Sequence, residues 1–312
     1  MNGGNIFTTN LTNKHELILR FLFFILLLSS CTDTKGNEII DRSGSSVVIK
    51  NPINRVISTA PSNTEIIFDL GQAHKLIAID RHSANIDGLA DNLPLLDFFY
   101  PDAEVIINLE PDLIIASGHN TTGSGEDPFR LLREMGIPVA YISMSKSIND
   151  IYGDIAFIAE LLQVKDRGAE LIDSMKTRIN EISEKAAHLH TQRSVYIEIS
   201  AAPEMITFGM DSYINDMISL AGAQNIFGND MWIVFPSAEV IIERNPDVIL
   251  TGVDYLDDPI AEIKNRYGFN HISAVVHNRV YRIDSDSLAR PSARIIAAME
   301  QMAAAIYPEL YE

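Results

Sequence analysis

A repeat narrows the fold of this chain more than any other feature. Residues 100–117 align without gaps to residues 235–252, at a constant offset of 135 and with nine identities in eighteen positions. A period that long is no solenoid and implies two related lobes of ordinary domain size. In each copy a proline (Pro101, Pro236) starts a short helix where its missing N–H costs nothing. A second proline (Pro111, Pro246) closes the turn before an apolar, β-branched run that reads as a buried strand. Helix, turn and strand in that order form the unit of a parallel α/β sheet.

The flanking sequence keeps the same alternation. Residues 55–60 read as a strand, and a helix follows in which Ser62 and Glu65 have capping-box spacing. Gly71 is placed to end that helix, and residues 75–80 form the next strand. Residues 165–188 read as one long helix, because Ile172, Met175, Ile179, Ile182 and Ala186 recur at steps of three and four. The prediction is an N-terminal α/β lobe (47–164) and a C-terminal α/β lobe (189–312) joined by that single helix. A ligand cleft is expected between them, beyond the carboxyl ends of the strands.

The chain begins with a targeting pattern. Lys14 and Arg20 precede an apolar run from Phe21 to Leu28 that is too short to span a membrane. Leu28-Ser29-Ser30-Cys31 follows. Residues 1–30 therefore read as a lipoprotein signal peptide with Cys31, the sole cysteine, as the lipidated residue. An ordinary signal peptide followed by a chance cysteine is the other reading. Residues 31–46 are polar and read as a flexible tether. The working part then lies outside the cytoplasmic membrane, anchored by lipid. The net charge of −18, with 42 acidic and 24 basic side chains, argues against nucleic acid as a partner.

No nucleophile–base pair, zinc-protease helix, phosphate-binding loop or dinucleotide fingerprint occurs, so no catalytic residue, cofactor or metal site is assigned. His82 and His119 fall just past strand ends, facing the expected cleft, where each is either a ligand contact or a solvated loop histidine. Phe98, Phe99 and Tyr100 lie where the first copy of the repeat begins, and Trp232 and Phe235 lie at the equivalent place at the second. Matching apolar loops suggest two walls around a large planar ligand, against the alternative that they pack under their own loops. Arg290 and Arg294, before the last helix, either reach an anionic ligand group or brace a helix start. Glu104 and Glu239 share one repeat position. The helix macrodipole alone favours a glutamate there, but two carboxylates related by a pseudo-twofold axis also suit docking on a twofold-symmetric basic partner.

These residues resemble a known family, the substrate-binding proteins of ABC importers for ferric siderophores, haem and vitamin B12. The resemblance covers about residues 47 to 310. It rests on the run from Arg55 to Glu65, on Asp80-Arg81-His82-Ser83, on the two Pro-Asp strands at 110–115 and 245–250, and on residues 287–294. It implies two Rossmann-like α/β lobes joined by one rigid helix, with small lobe movements on binding. It also implies a non-enzymatic, monomeric receptor that hands a metal chelate to a permease dimer with its cytoplasmic ATPase, docking through Glu104 and Glu239. An aromatic common near position 82 in such proteins is here His82. Iron complexes rank just ahead of cobalamin as cargo. A free divalent metal receptor is an alternative, as is an extracytoplasmic enzyme on the same scaffold.

Overall fold

A computed structural model of the protein describes residues 36–97, 99–121 and 127–311. The signal segment 1–30, Cys31 and Phe98 lie outside the described residues. The described chain opens with an antiparallel hairpin, β1 (Asn37–Ile40) and β2 (Ser46–Ile49), with Asn37 opposite Ile49. This corrects the reading of residues 31–46 as a flexible tether throughout, because Gly44 and its flanking serines form a turn. Asp41 Oδ1 accepts the N–H groups of Ser43 and Ser45, each at 2.9 Å, while Oδ2 takes the Tyr141 N–H at 2.9 Å. Val47 and Ile49 are thereby buried in the core.

The first lobe runs β3 (Val56–Ser58), α1 (Pro61–Asp69), β4 (Leu76–Asp80), β5 (Leu95–Leu96), α2 (Ala103–Asn108), β6 (Leu113–Ser117), α3 (Arg130–Glu134) and β7 (Val139–Ile142). Its five strands are parallel, in the order β5-β4-β3-β6-β7. Two helices then pack side by side, α4 (Ile148–Leu161) and α5 (Lys165–Ala186). At 22 residues α5 is about 33 Å long at 1.5 Å per residue. It delivers the chain to β8 (Ser194–Glu198), β9 (Thr207–Phe208), α6 (Tyr213–Leu220), β10 (Gln224–Asn225), β11 (Ile233–Val234), α7 (Ala238–Arg244) and β12 (Val248–Thr251). The chain finishes with α8 (Pro259–Asn265), α9 (Ser273–Val276), β13 (Val280–Arg282), α10 (Ser285–Ala289) and α11 (Ile295–Ile306). Four of the second lobe's strands form a parallel sheet, β10-β8-β12-β13, and β9 pairs with β11 in a separate antiparallel ribbon.

The repeat is the same piece of architecture twice, α2–β6 and α7–β12. Each strand pairs with the first strand of its sheet, Ile114 beside Ile57 and Ile249 beside Tyr196. Glu110 and Asn245, equivalent in the repeat, both take left-handed backbone conformations, with φ of 46° and 45°. The aspartate after each proline then fastens the strand start. Asp112 Oδ2 accepts the N–H groups of Asn54 and Arg55 at 2.8 and 2.9 Å, and Asp247 Oδ2 accepts the N–H and hydroxyl of Ser194 at 3.0 and 2.9 Å. The Pro-Asp pair is therefore a staple between neighbouring strands, which is why it recurs.

Each sheet is covered on both faces. One core belongs to the first lobe alone (Ile57, Ile114, Phe129, Tyr141) and a second to the other lobe (Tyr196, Ile249, Phe269). The third runs without a break from Val56 and Ile115, through Ile155, Met175 and Ile179, to Val195, Leu250 and Met299. The lobes thus share a core along α4, α5 and α11. Gly168 lets α4 and α5 approach closely, since a Cβ there would sit 2.5 Å from the Cβ of Ala159. Gly168→Val should cost roughly 1–3 kcal/mol in urea unfolding through overpacking, despite its gain over glycine in helix propensity. Ala159→Gly in the same chain should recover part of that loss.

Candidate ligand cleft

Loops at the carboxyl ends of both sheets meet in a pocket of about 120 Å³. His119 and Met144 supply its wall on the first lobe, and Phe208, Tyr213, Trp232 and Pro291 supply the opposite one. His119 follows β6 in a short helical turn that Asn120 ties to the neighbouring loop. Asn120 Oδ1 accepts from the Ser117 N–H at 2.7 Å and the Thr59 hydroxyl at 2.8 Å. Burial pushes the His119 imidazole below its ordinary pKa, which favours the neutral ring. On the far side the β9–β11 ribbon presents Phe208 and Trp232, whose rings lie 6.2 Å apart between centroids and tilted by 40°. Gly209 makes that ribbon feasible, because a Cβ would fall 2.5 Å from the carbonyl oxygens of Asp230 and Met231. The Tyr213 hydroxyl donates to the Leu288 carbonyl at 2.9 Å, fixing its ring as an apolar wall.

Beside the pocket the lobes are bolted together by charge. Glu65, on α1, is buried, and its Oε1 accepts from Arg290 Nη1 at 2.9 Å and Arg294 Nη1 at 3.0 Å. Its Oε2 accepts from the Ser292 hydroxyl at 2.6 Å. Arg290 donates further to the His82 carbonyl at 3.0 Å and Asn85 Oδ1 at 2.9 Å, and pairs with Asp286 at 2.7 Å. Two expectations are corrected here. Arg290 is only 7% exposed, and its guanidinium is taken up by protein groups rather than lining the pocket. Glu65 closes no capping box: α1 starts at Pro61 after Ala60, with no side-chain cap, and the carboxylate crosses to the other lobe.

The remaining predicted residues divide. His119 and Trp232 are brought together as opposite walls of one pocket. His82 stands exposed on the turn after β4, where its N–H donates to Asp80 Oδ1 at 2.8 Å. Phe99, Tyr100 and Phe235 are 45%, 71% and 71% exposed and do not line the pocket. Arg294 is partly exposed but paired with Glu65. Glu104 and Glu239 are exposed in the first turns of α2 and α7. Sequence reading missed Phe208, Tyr213 and Met144; the only local signal was the glycine and turn residues around 209–212. Among the described residues no three His, Cys, Asp or Glu side chains converge to hold a metal ion.

The charge cluster is testable. Arg290→Ala leaves the buried Glu65 carboxylate with only Arg294 and the Ser292 hydroxyl and should destabilise the protein by roughly 1.5–3 kcal/mol, whereas truncating the exposed Arg130 should cost no more than about 0.5 kcal/mol. Asp69, on the same helix as Glu65, has its pKa raised to about 6 by burial, then by the Glu65 charge, with Arg294 opposing. A carboxyl whose folded pKa lies above its unfolded value favours folding when protonated and opposes it when ionised. Asp69→Asn should therefore raise the melting temperature at pH 7.5, and that gain should shrink as the pH falls below about 6 and vanish only below the unfolded value of 3.8. A gain independent of pH would contradict the shift.

Similar proteins fit this architecture. Residues 56–287 match the periplasmic binding protein family. Bacillus subtilis YvrC, an uncharacterised ABC transporter substrate-binding lipoprotein, is 31% identical over 278 residues, covering 88% of this chain and 86% of YvrC. The vitamin B12-binding protein of Vibrio parahaemolyticus is 26% identical over 260 residues, covering 82% of this chain and 90% of the relative. The solved structure of a possible iron-binding periplasmic solute-binding protein from Staphylococcus epidermidis superposes with a TM-score of 0.74 at 29% identity, covering 82% and 99% of the two chains. These relatives are substrate-binding proteins rather than enzymes, and a profile spanning most of both lobes joins them to this sequence: the chain belongs to the periplasmic binding protein family, as an extracytoplasmic substrate-binding protein of an ABC transporter.

Proposed function

We propose that the protein is a lipid-anchored receptor that captures a corrinoid of the vitamin B12 type in its interlobe cleft and delivers it to an ABC permease. The observation that carries the choice of ligand is the commitment of Arg290 and Arg294 to Glu65, beside a pocket walled by Phe208, Trp232 and a histidine favoured in its neutral form. Haem propionates and acidic siderophores call for cations, which this wall does not offer. An amide-decorated corrin asks instead for apolar faces and neutral hydrogen-bonding groups. This reverses the earlier ranking of iron complexes over cobalamin. The Vibrio relatives named for vitamin B12 support it. The second reading, an iron complex, is favoured by the Staphylococcus epidermidis structure. The enclosed 120 Å³ is well below the roughly 300–1,000 Å³ of ordinary ligand pockets, so it takes one edge of such a molecule and the open cleft takes the rest.

Residues 47–164 and 189–312 act as the two lobes, and residues 165–188 as the strut between them. Anchoring through Cys31 is supported by the Leu-Ser-Ser-Cys run and by the lipoprotein name of YvrC. Glu104 and Glu239 dock on basic groups of the permease dimer, supported by their shared repeat position and exposure. Charge of one sign on each lobe steers encounter and fixes orientation.

Calorimetric titration of the protein lacking residues 1–31 with cobalamin, haem and several ferric siderophores tests the ligand. One-to-one binding of cobalamin is expected, weakened about ten-fold or more by Trp232→Ala. Binding of a ferric siderophore with no response to cobalamin would transfer the assignment to iron. A folded sample that binds none of them would sink the chelate class altogether.

A further inference from the structure

We propose that Tyr100 and Phe235 are paired aromatic anchors of the surface that meets the permease. The inference rests on the docking role given above to Glu104 and Glu239 and extends it. Tyr100 and Phe235 hold the same position in the 135-residue repeat, each four residues before its glutamate. Each is 71% exposed, and neither lines the interlobe pocket, although Trp232, only three residues before Phe235, does. A single exposed aromatic needs no explanation. Two of them, displayed to the same extent at equivalent points on two lobes and each beside an exposed carboxylate, form one bipartite surface.

Both rings stand on braced backbone. Asp97 Oδ1 accepts the N–H groups of Tyr100 at 2.9 Å and Phe99 at 3.0 Å, and Asp97 is itself paired with Arg81 at 3.2 Å. Phe235 directly follows β11, which is clipped to β9, and precedes the buried Pro236. A preorganised aromatic buries a large area at small entropic cost, which is what a hot-spot residue needs. Val105, beside Glu104, is 42% exposed and widens the apolar share of the first patch.

The occupant follows from charge and symmetry. It must offer two equivalent sites, each an apolar hollow for a ring next to a cation for a carboxylate, as a twofold permease dimer can. A second copy of this chain would set glutamate against glutamate on a molecule of net charge −18, and like charges across an interface suppress that pairing.

The test uses the full lipidated chain with the permease–ATPase complex it serves, reconstituted in liposomes. Tyr100→Ala and Phe235→Ala should each weaken binding to the complex about ten-fold and lower stimulated ATP hydrolysis, while calorimetry with cobalamin stays at the wild-type value. Tyr100→Phe should keep permease affinity, because the ring and not the hydroxyl is the anchor. Wild-type docking by both alanine variants overturns the inference, as does a loss of cobalamin affinity with docking intact. Glu104→Ala with Glu239→Ala, run alongside, separates the two claims. Normal docking of that pair overturns the parent reading. Failure of that pair to dock, with normal docking of the aromatic variants, overturns this inference alone.

Discussion

The carboxylate of Glu65 is the point on which the relation between the two lobes depends. It lies 225 to 229 residues from its partners in sequence, yet receives Arg290, Ser292 and Arg294 within 3.0 Å. An ion pair this deep adds little net stability, because desolvating the charges offsets most of their attraction. What it supplies is register: one arrangement satisfies every donor, and a shifted lobe would leave a buried charge unpaired. The same segment also shapes the binding site. Ala289 and Pro291 line the pocket while Arg290, between them, turns back to the first lobe. Cleft wall and lobe contact are therefore one short stretch of chain.

That bolt works together with the shared core. A protein that closes by a wide hinge connects its lobes through a few residues free to absorb large backbone changes. Here the connection is the 22-residue α5, and the core along it is continuous from the first sheet to the second. Opening the lobes would break close packing at Met175, Ile179 and Ile182 as well as the Glu65 cluster. Small adjustments are what such a frame permits, so the cleft is largely formed before ligand arrives. A preformed site lowers the ordering cost of binding and makes shape a direct contributor to affinity.

What could be read from the sequence was what local pattern encodes. The repeat, the parallel strands and the long helix each leave a signal within a window of about twenty residues, and each has its counterpart in the structure. Gly71 and Gly222 end helices with φ of 73° and 78°, as a residue without Cβ can. His119 is legible as a cleft residue because position after a strand end is itself informative, and Trp232 because an aromatic loop flanks each copy of the repeat. The failures share a cause. Glu65 looked like a capping residue because capping spacing is local, whereas its partners lie on the other lobe. Arg290 looked available for the same reason. The hairpin at 37–49 was hidden because a polar, serine-rich turn and a linker have the same composition; only the alternating burial of Val47 and Ile49 distinguishes them. Trp232 and Phe235 are close neighbours in sequence, yet Trp232 lines the pocket while Phe235 is left exposed, a difference no local pattern encodes.

The distribution of charge follows one logic across these features. With 24 basic side chains against 42 acidic ones, cations are the scarce resource. Arg290 and Arg294, beside the pocket, are spent on Glu65, and Arg266 of the second lobe is likewise buried against Glu198 and Glu262. Spending arginines inside leaves the pocket without a guanidinium to attract anionic solutes, and leaves the lobe tips with exposed carboxylates. Under the proposed function, apolar contact selects the cargo and negative charge finds the membrane partner. On that reading, a change at Glu104 or Glu239 has no charged counterpart at the cleft, and affinity for cargo and affinity for the permease would be separable properties of one body.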